Sequence, residues 1–268
     1  MYLDPDWRIL TVGDGDLSFS SALHTHIRPR PLEASVYDSE TVLLDKYARN
    51  ELSSLRNCGV PVHTGMDITR AASARIPGKK FDIIIFQFPL INPCSNNREF
   101  QRRGPEIHPN TLNRRLLRWF LIHSFQYLLD EDGAKLCYIT SKDVKPSCEW
   151  NLEASLNRDL EIPYLGSMRF RLEAFPGYRI RNVGRDTIIA DTRATTYVWG
   201  HEAPPELQKN LSFEPWLKPN HCAICRAGPF VAEENRTKHF RSKRHEMMQA
   251  FEDRWIEDIA RMKLVNAD

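Results

Sequence analysis

The chain has 268 residues, of which 41% are hydrophobic and 27% charged, a composition typical of globular rather than disordered proteins. Lys and Arg number 37 against 35 Asp and Glu, and the formal charge of +2 excludes a protein that coats a polyanion over its whole surface. The sequence contains no apolar run of the roughly 18 residues that a membrane span requires, no secretory signal pattern and too few cysteines for a disulfide framework. We therefore expect an intracellular protein without membrane contact.

Between about residues 7 and 200, short apolar runs alternate with longer amphipathic segments, as in a parallel sheet with crossover helices. Strands are predicted at residues 8–12, 34–37, 60–65, 81–86 and 135–140. Helices are predicted at 39–58, 116–129 and 150–157, with a long loop at 90–113. Two closing strands at 167–172 and 195–199 suit an antiparallel edge. The predicted class is therefore α/β, with a doubly wound, mostly parallel sheet.

The C-terminal quarter has a different composition. Four prolines between residues 201 and 219 disfavour a packed helix or a central strand. The predicted organisation is a domain at 1–200, a Pro-rich linker at 201–219 and a small unit at 220–268. Near-helical spacing of apolar residues predicts one long helix over 233–262.

A glycine pair follows the first predicted strand. Gly13 and Gly15 flank Asp14 and precede a predicted helix, the context in which glycines let the backbone approach a nucleotide cofactor. A tight turn without a ligand would also need glycine. Asp38 ends the second strand, where an acid can hold a ribose diol. S-adenosylmethionine and a nicotinamide cofactor both suit this pattern, but Ser18 replaces the third glycine of the dinucleotide motif and favours S-adenosylmethionine.

The fourth predicted strand ends in Gln87-Phe88-Pro89. An amide can pair with the edge of a base while an aromatic ring stacks on its face. This sequence resembles the strand-end motif with which N-methyltransferases hold a target base. The alternative is a polar strand end followed by a core phenylalanine.

Several segments, in order, resemble one family, the eukaryotic large-subunit (25S/28S) rRNA (uridine-N3)-methyltransferase-like Rossmann domain. The resemblance covers nearly all of residues 7–200 and rests on the segments 12–20, 37–39, 81–89, 113–120, 140–150 and 175–178. Two sites depart from the family pattern. Asp14 stands where the family usually has Glu, and Gln87-Phe88-Pro89-Leu90 replaces Asn-Phe-Pro-His. Leu90 thus removes an imidazole that could take a proton.

The resemblance implies methyl transfer from S-adenosylmethionine to N3 of a uridine. It implies cofactor contacts by Gly13, Asp14, Gly15, Asp38 and Asp67, and target-base contacts by Gln87, Phe88 and Pro89. Because N3 lies on the Watson–Crick edge, the target must be unpaired or flipped out. The implied partner is ribosomal RNA or a preribosome, and the implied location is the nucleus, within the nucleolus, with the cytoplasm as the alternative. A non-catalytic RNA-binding or ribosome-assembly factor that keeps the fold is the rival hypothesis.

A second motif lies near the C-terminal end. Cys222, Cys225, His239 and His245 form C-x2-C-x13-H-x5-H, the ligand types and spacing of one structural zinc ion in a C2H2 finger. Residues 239–245 resemble the matrin or U1-type fingers associated with RNA. A finger that only braces the catalytic domain or binds protein is the alternative.

Two basic stretches accompany these motifs. One lies in the finger, at Arg226, Arg236, Lys238, Arg241, Lys243 and Arg244, and the other lies beyond the fourth strand, at Arg98, Arg102, Arg103, Arg114, Arg115 and Arg118. Each balances six basic against two acidic residues, and both are candidate RNA-contacting surfaces. Solvated surface side chains are the alternative.

Overall fold

The computed structural model describes residues 1–29, 31–91, 107–182, 185–188 and 193–265. Its strands are β1 Ile9–Val12, β2 Leu32–Ser35, β3 Val62–His63, β4 Ile83–Gln87, β5 Leu136–Lys142, β6 Tyr164–Phe170, β7 Arg181–Asn182, β8 Arg185–Ile188 and β9 Ala194–Trp199. Within this part of the chain, seven of them form one sheet in the order β3-β2-β1-β4-β5-β9-β6, and β7 and β8 form a separate hairpin.

Strands β1 to β5 pair in parallel, which confirms the predicted α/β class with a mostly parallel sheet. The predicted antiparallel edge differs in position. Strand β9 is antiparallel to both of its neighbours and lies between β5 and β6, so that β6 runs in the same direction as β1 to β5. The chain crosses over to form β6 at the edge and then returns into the gap beside β5.

Both faces of the sheet are buried at β4. This strand carries apolar side chains at every position up to its last residue, as is typical of a central parallel strand. Ile83 and Ile85 enter one core cluster, and Ile84 and Phe86 enter the other. The helices that cover the two faces, or follow in the C-terminal region, are α1 Ser18–Ala22, α2 Glu40–Lys46, α3 Leu52–Asn57, α4 Pro109–His123, α5 Leu152–Ser155, α6 Pro205–Gln208, α7 Glu233–Phe240 and α8 Lys243–Val265.

The helix predicted over 39–58 is wrong in extent, since the structure divides it into α2 and α3. The Asn50 side chain interrupts it: its amide donates to the Tyr47 carbonyl at 3.1 Å, and its oxygen accepts from the Leu52 N–H at 3.2 Å. Such local bonds compete with helical ones. Within α2, Leu43 packs in the core and Leu44 is exposed.

The helix predicted over 233–262 is also divided, into α7 and α8. Ser242 lies at the break and its hydroxyl accepts from the His245 N–H at 3.2 Å, the bond of a helix N-cap. The helix predicted over 116–129 begins earlier, at Pro109, and continues beyond His123 in a wide turn over Ser124–Leu128. His108 caps its start by accepting from the Asn110 N–H at 3.2 Å, and proline suits the first helical position.

Residues from the predicted linker onward contact the main sheet. Ser212 bridges to Ser167 of β6, and Leu207 is fully buried in one of the two core clusters. Trp255 and Ile259 of α8 lie in the other cluster together with Ile84 of β4. Among the described residues, no helix combines the length and apolar character needed to cross a membrane. The division at 201–219 stays a prediction, but α8 contributes side chains to the core under the sheet.

Candidate functional site

A cavity of about 290 Å³ opens at the carboxyl ends of β1, β2 and β4. This is the edge at which open α/β sheets bind their ligands, and the strand order reverses there between β1 and β4. All eight residues that the sequence singles out in the first domain line this one cavity: Gly13, Asp14, Gly15, Asp38, Asp67, Gln87, Phe88 and Pro89. The structure therefore brings the predicted site together, and the role of each residue stays a prediction.

The glycine turn leaves no room for side chains. Gly13 has a φ of +64°, and a Cβ atom there would lie 2.6 Å from Cε2 of Phe86. At Gly15 a Cβ would lie 3.2 Å from the Tyr47 hydroxyl. The bare backbone at both positions faces the cavity, which a ligand can approach closely.

Asp14 lines the cavity, but its carboxylate is directed at helix α1. It accepts from the Ser20 N–H at 2.7 Å and from the Ser20 hydroxyl at 2.5 Å, and more weakly from the Phe19 N–H. Burial raises the pKa of Asp14 to about 6, against the lowering effect of the Ser20 bonds. Its carboxylate holds the start of α1, a role that the glycine motif alone does not indicate.

Asp38 and Asp67 face the cavity from the ends of adjacent strands. Asp38 Oδ2 accepts from Lys46 Nζ at 2.9 Å, and Lys46, which the sequence analysis missed, also lines the cavity. Asp67 Oδ1 accepts from the Thr69 N–H at 3.0 Å and from the Thr69 hydroxyl at 2.6 Å. Each carboxylate therefore has one oxygen committed to an intramolecular bond that orients it.

The sequence analysis missed a buried acid, Asp16, which connects the glycine turn to the cavity-lining residues Arg179 and Arg181. Asp16 is 1% exposed, and its Oδ2 accepts from Arg181 Nε at 2.6 Å and from Arg179 Nε at 3.0 Å. Arg179 also pairs with Glu51 at 2.9 Å. Asp16 lies within the glycine-containing segment 12–20, and the two arginines follow the turn at 175–178. The opposite charges of these two segments were the sequence feature that could have predicted this contact.

The end of β4 forms the opposite wall. Gln87 is buried, and its Oε1 has no hydrogen-bond partner among the described residues. Phe88 has a φ of +48°, which an aromatic residue rarely adopts, and its N–H donates to the Thr140 carbonyl at 2.9 Å. Its ring lies edge-on to Phe170, and Lys142 Nζ is 5.9 Å from the ring centroid. A strained backbone and an unpartnered buried acceptor often mark a functional position.

The model of one protein family matches residues 10–182, more than half of the chain. It is the BMT5-like family, described as rRNA (uridine-N3-)-methyltransferase BTM5-like. The chain belongs to the BMT5-like family. The resemblance stated from the sequence motifs is thereby confirmed, and the matched residues include all eight predicted site residues of the cavity.

Individual proteins are more distant. Heavy metal-associated isoprenylated plant protein 41 of Arabidopsis thaliana is 30% identical over 175 residues, which are 64% of this chain and 32% of that protein. The chain thus spans about a third of the length of this curated relative. Among solved structures, the B. subtilis m1A22 tRNA methyltransferase TrmK has a TM-score of 0.44 at 11% identity and covers 95% of this chain and 91% of its own. A fibrillarin/Nop5p complex has a TM-score of 0.40 at 13% identity and covers 74% of each chain.

Outside the BMT5-like region, the four predicted metal ligands converge. The ligand atoms of Cys222, Cys225, His239 and His245 all lie within 4.8 Å of one another. His245 Nδ1 is 3.4 Å from Cys225 Sγ and 3.6 Å from Cys222 Sγ, and His239 Nε2 is buried without a partner among the described residues. Zinc–ligand bonds of about 2.0–2.3 Å in a tetrahedron separate ligand atoms by about 3.3–3.8 Å. The residues therefore fit one zinc ion.

Four of the nine described basic residues proposed to contact RNA are directed into the protein. Arg114 is 1% exposed and pairs with Glu252, and Arg118 is buried and donates to the Leu156 carbonyl at 2.9 Å. Arg115 pairs with Asp258 of α8 and Arg226 pairs with Glu153 at 2.9 Å. Arg98, Arg102 and Arg103 lie outside the described residues. The basic balances read from the sequence therefore overstate the positive charge available to RNA.

Proposed function

We propose that the protein is an S-adenosylmethionine-dependent methyltransferase that methylates N3 of a uridine in large-subunit ribosomal RNA. One observation carries the proposal: in a chain of the BMT5-like family, the glycine turn, two strand-end acids and the Gln87-Phe88-Pro89 segment surround a single cavity. The family description names the reaction. On one side of the cavity the glycine turn and the acids suit a cofactor, and on the opposite side the amide and aromatic side chains suit a base.

The residues at β1, β2 and β3 fit S-adenosylmethionine. The bare backbone at Gly13 and Gly15 accommodates a close ligand, and Oδ1 of Asp38 can accept from a ribose hydroxyl while Lys46 orients the carboxylate through Oδ2. Asp67, which lines the same cavity after the next strand, would contact the adenine. When bound, the cofactor supplies a methyl group on an electrophilic sulfonium, so the protein's own task is positioning.

The end of β4 fits a uracil base. The Gln87 amide nitrogen can donate to a uracil carbonyl oxygen, its unpartnered Oε1 can accept from an N–H of the base, and the Phe88 ring offers a stacking face. A donor at a carbonyl oxygen stabilises the negative charge that this oxygen gains as N3 loses its proton. Leu90 has no group that can take that proton.

The Cys/His cluster completes the proposal with one structural zinc ion. Two thiolates and two imidazoles would hold it, and the buried, unpartnered Nε2 of His239 supports this assignment. The exposed basic residues of α7 and its flanks, including Lys238, Arg241 and Lys243, remain available to RNA phosphates. We further propose residence in the nucleus, within the nucleolus, which the rRNA substrate in the family description supports.

Titration calorimetry of S-adenosylmethionine into the zinc-loaded protein tests the cofactor. We expect binding that Asp38→Ala weakens by about 1.5–3 kcal/mol, the contribution of hydrogen bonds to a charged group, or roughly 10- to 150-fold in Kd. Asp45→Ala is the matched control, because Asp45 is exposed on α2 and lies outside the cavity lining. Equal loss in both variants, or binding of a nicotinamide cofactor instead, would overturn the assignment.

A second measurement separates the enzyme from the non-catalytic rival. Pre-ribosomal RNA is incubated with the protein and S-adenosylmethionine, digested and analysed for N3-methyluridine by mass spectrometry. The enzyme produces this nucleoside, and Gln87→Ala lowers its yield. A protein that binds cofactor and RNA yet yields no methylated nucleoside is the assembly factor.

A further inference from the structure

The Cys/His module is joined to the methyltransferase fold through helix α8. His245 lies near the start of α8, and Glu252 lies two turns further along the same helix. Arg114 of α4 donates to Glu252 Oε2 at 2.7 Å, with side chains that are 1% and 5% exposed. A charged pair so deeply buried holds its two helices in one relative position, because displacing either helix leaves the other charge without a partner.

Other contacts reinforce this junction. The Trp255 indole N–H donates to the Ser155 carbonyl at 3.2 Å, and the guanidinium of Arg114 lies 5.0 Å from the Trp255 ring centroid. The ring of Phe251 lies 4.6 Å from that of His108, the residue that caps α4. Helix α8 therefore contacts α4 both at its N-terminal cap and in its first turns.

Helix α4 in turn holds the segment that follows Phe88. The buried side chain of Asn113 accepts from the Ile91 N–H at 2.8 Å and donates to the Pro109 carbonyl at 2.8 Å. Leu112 and Leu116 of the same helix line the cavity beside Phe88 and Leu90. The position of α4 therefore sets the position of the cavity wall proposed to hold the target base.

We propose that Arg114 is a positioning residue, through which metal binding at the Cys/His cluster fixes the target-base wall of the cavity. A metal ion at the cluster anchors α8, the Arg114–Glu252 pair transmits this position to α4, and Asn113 transmits it to Ile91. This inference rests on the proposed function. It assigns the module an effect on the methyl-transfer step itself, whereas an RNA-binding finger would act on RNA affinity.

Hydrogen exchange tests the coupling without relying on activity. Exchange is compared for the full-length protein with zinc bound and after chelation, with peptides that cover residues 86–91 and 107–117. We expect at least tenfold faster exchange in both segments after chelation and no change in α1, whose buried apolar residues lie in the core cluster that contains no residue of α8. Acceleration confined to residues 220–250 would overturn the proposal.

Kinetics with Arg114→Met tests the residue. We expect kcat for RNA methylation to fall at least tenfold, while the zinc content and the Kd values for S-adenosylmethionine and RNA change less than twofold. Lys263→Met is the matched control, because Lys263 of α8 forms an exposed ion pair with Asp159, and its replacement should leave kcat unchanged. If Arg114→Met does not fold, the double variant Arg114→Met/Glu252→Met removes both charges and replaces it.

The outcomes separate the two proposals. A loss of RNA affinity with unchanged kcat in Arg114→Met would make the module an RNA-binding finger and overturn the positioning role. A wild-type protein without methyl-transfer activity would overturn the proposed function, and the exchange experiment would then decide the coupling alone.

Discussion

The turn after β1 shows how single residues build this site. Glycine at position 13 is required by the Phe86 ring, which occupies the space of a side chain, and this requirement was predictable from a glycine pair at a strand end. The direction of the Asp14 carboxylate was not. In a tight turn a side chain can face either the ligand or the following helix, and the Ser20 bonds that decide it form only in the folded chain.

The burial of Asp14 predicts a dependence of stability on pH. Its pKa is raised from 3.8 to about 6, so the folded state binds more protons than the unfolded state between these values. The free energy of unfolding should therefore fall as pH rises from 4 to 7, by about 2 kcal/mol for this group, and then level off. Urea unfolding of wild type and Asp14→Asn over pH 4–7 isolates the effect, since the variant lacks this titration. A constant difference between the two proteins across that range would contradict it.

At the scale of elements, apolar periodicity predicted where strands and helices exist but not where helices divide. The pattern over 39–58 is helical throughout, yet Asn50 binds its neighbours' backbone and ends the helix. The helix break at Ser242 also arises from a side chain that bonds to a neighbouring backbone group. This break affects the candidate metal site. It turns the chain between His239 and His245, so that both rings reach the two cysteines, with ring centroids 5.1 Å apart.

The Cys/His module should depend on its metal for folding. Its small core consists of Cys222, Cys225 and Met248 with partly buried neighbours. This core is too small to hold α7 against the hairpin at 222–227 without a bound metal ion. Cys222→Ser should therefore reduce bound zinc from one ion per chain to a small fraction and lower the helical signal in circular dichroism. Cys58→Ser, at an exposed cysteine, is the control and should retain the metal. One zinc ion per chain in Cys222→Ser by elemental analysis would contradict the ligand assignment.

For the whole molecule, the order of alternating strands and helices predicted the sheet and placed the site at the carboxyl ends of its strands. The insertion of β9 between β5 and β6 was not predictable, because strand pairing between distant segments is not encoded in local periodicity. The packing of α8 against α4 was not predictable from the sequence for a similar reason. Trp255 and Glu252 have the ordinary spacing of a helix face, and only the fold shows that this face covers α4.

The shared core predicts that the two regions of the chain unfold together. Trp255 is fully buried beneath the sheet, so Trp255→Ala should lower the free energy of unfolding by about 3–5 kcal/mol through the cavity it leaves. Ile256→Ala, at a partly exposed neighbour on the same helix, should change it by about 0.5 kcal/mol or less. Urea unfolding followed by circular dichroism and by release of zinc to a chromogenic chelator measures both regions at once. Because α8 joins the core of the sheet to the proposed metal ligands, both midpoints should shift by the same amount in Trp255→Ala. A shift in zinc release alone would mean that the two regions fold independently.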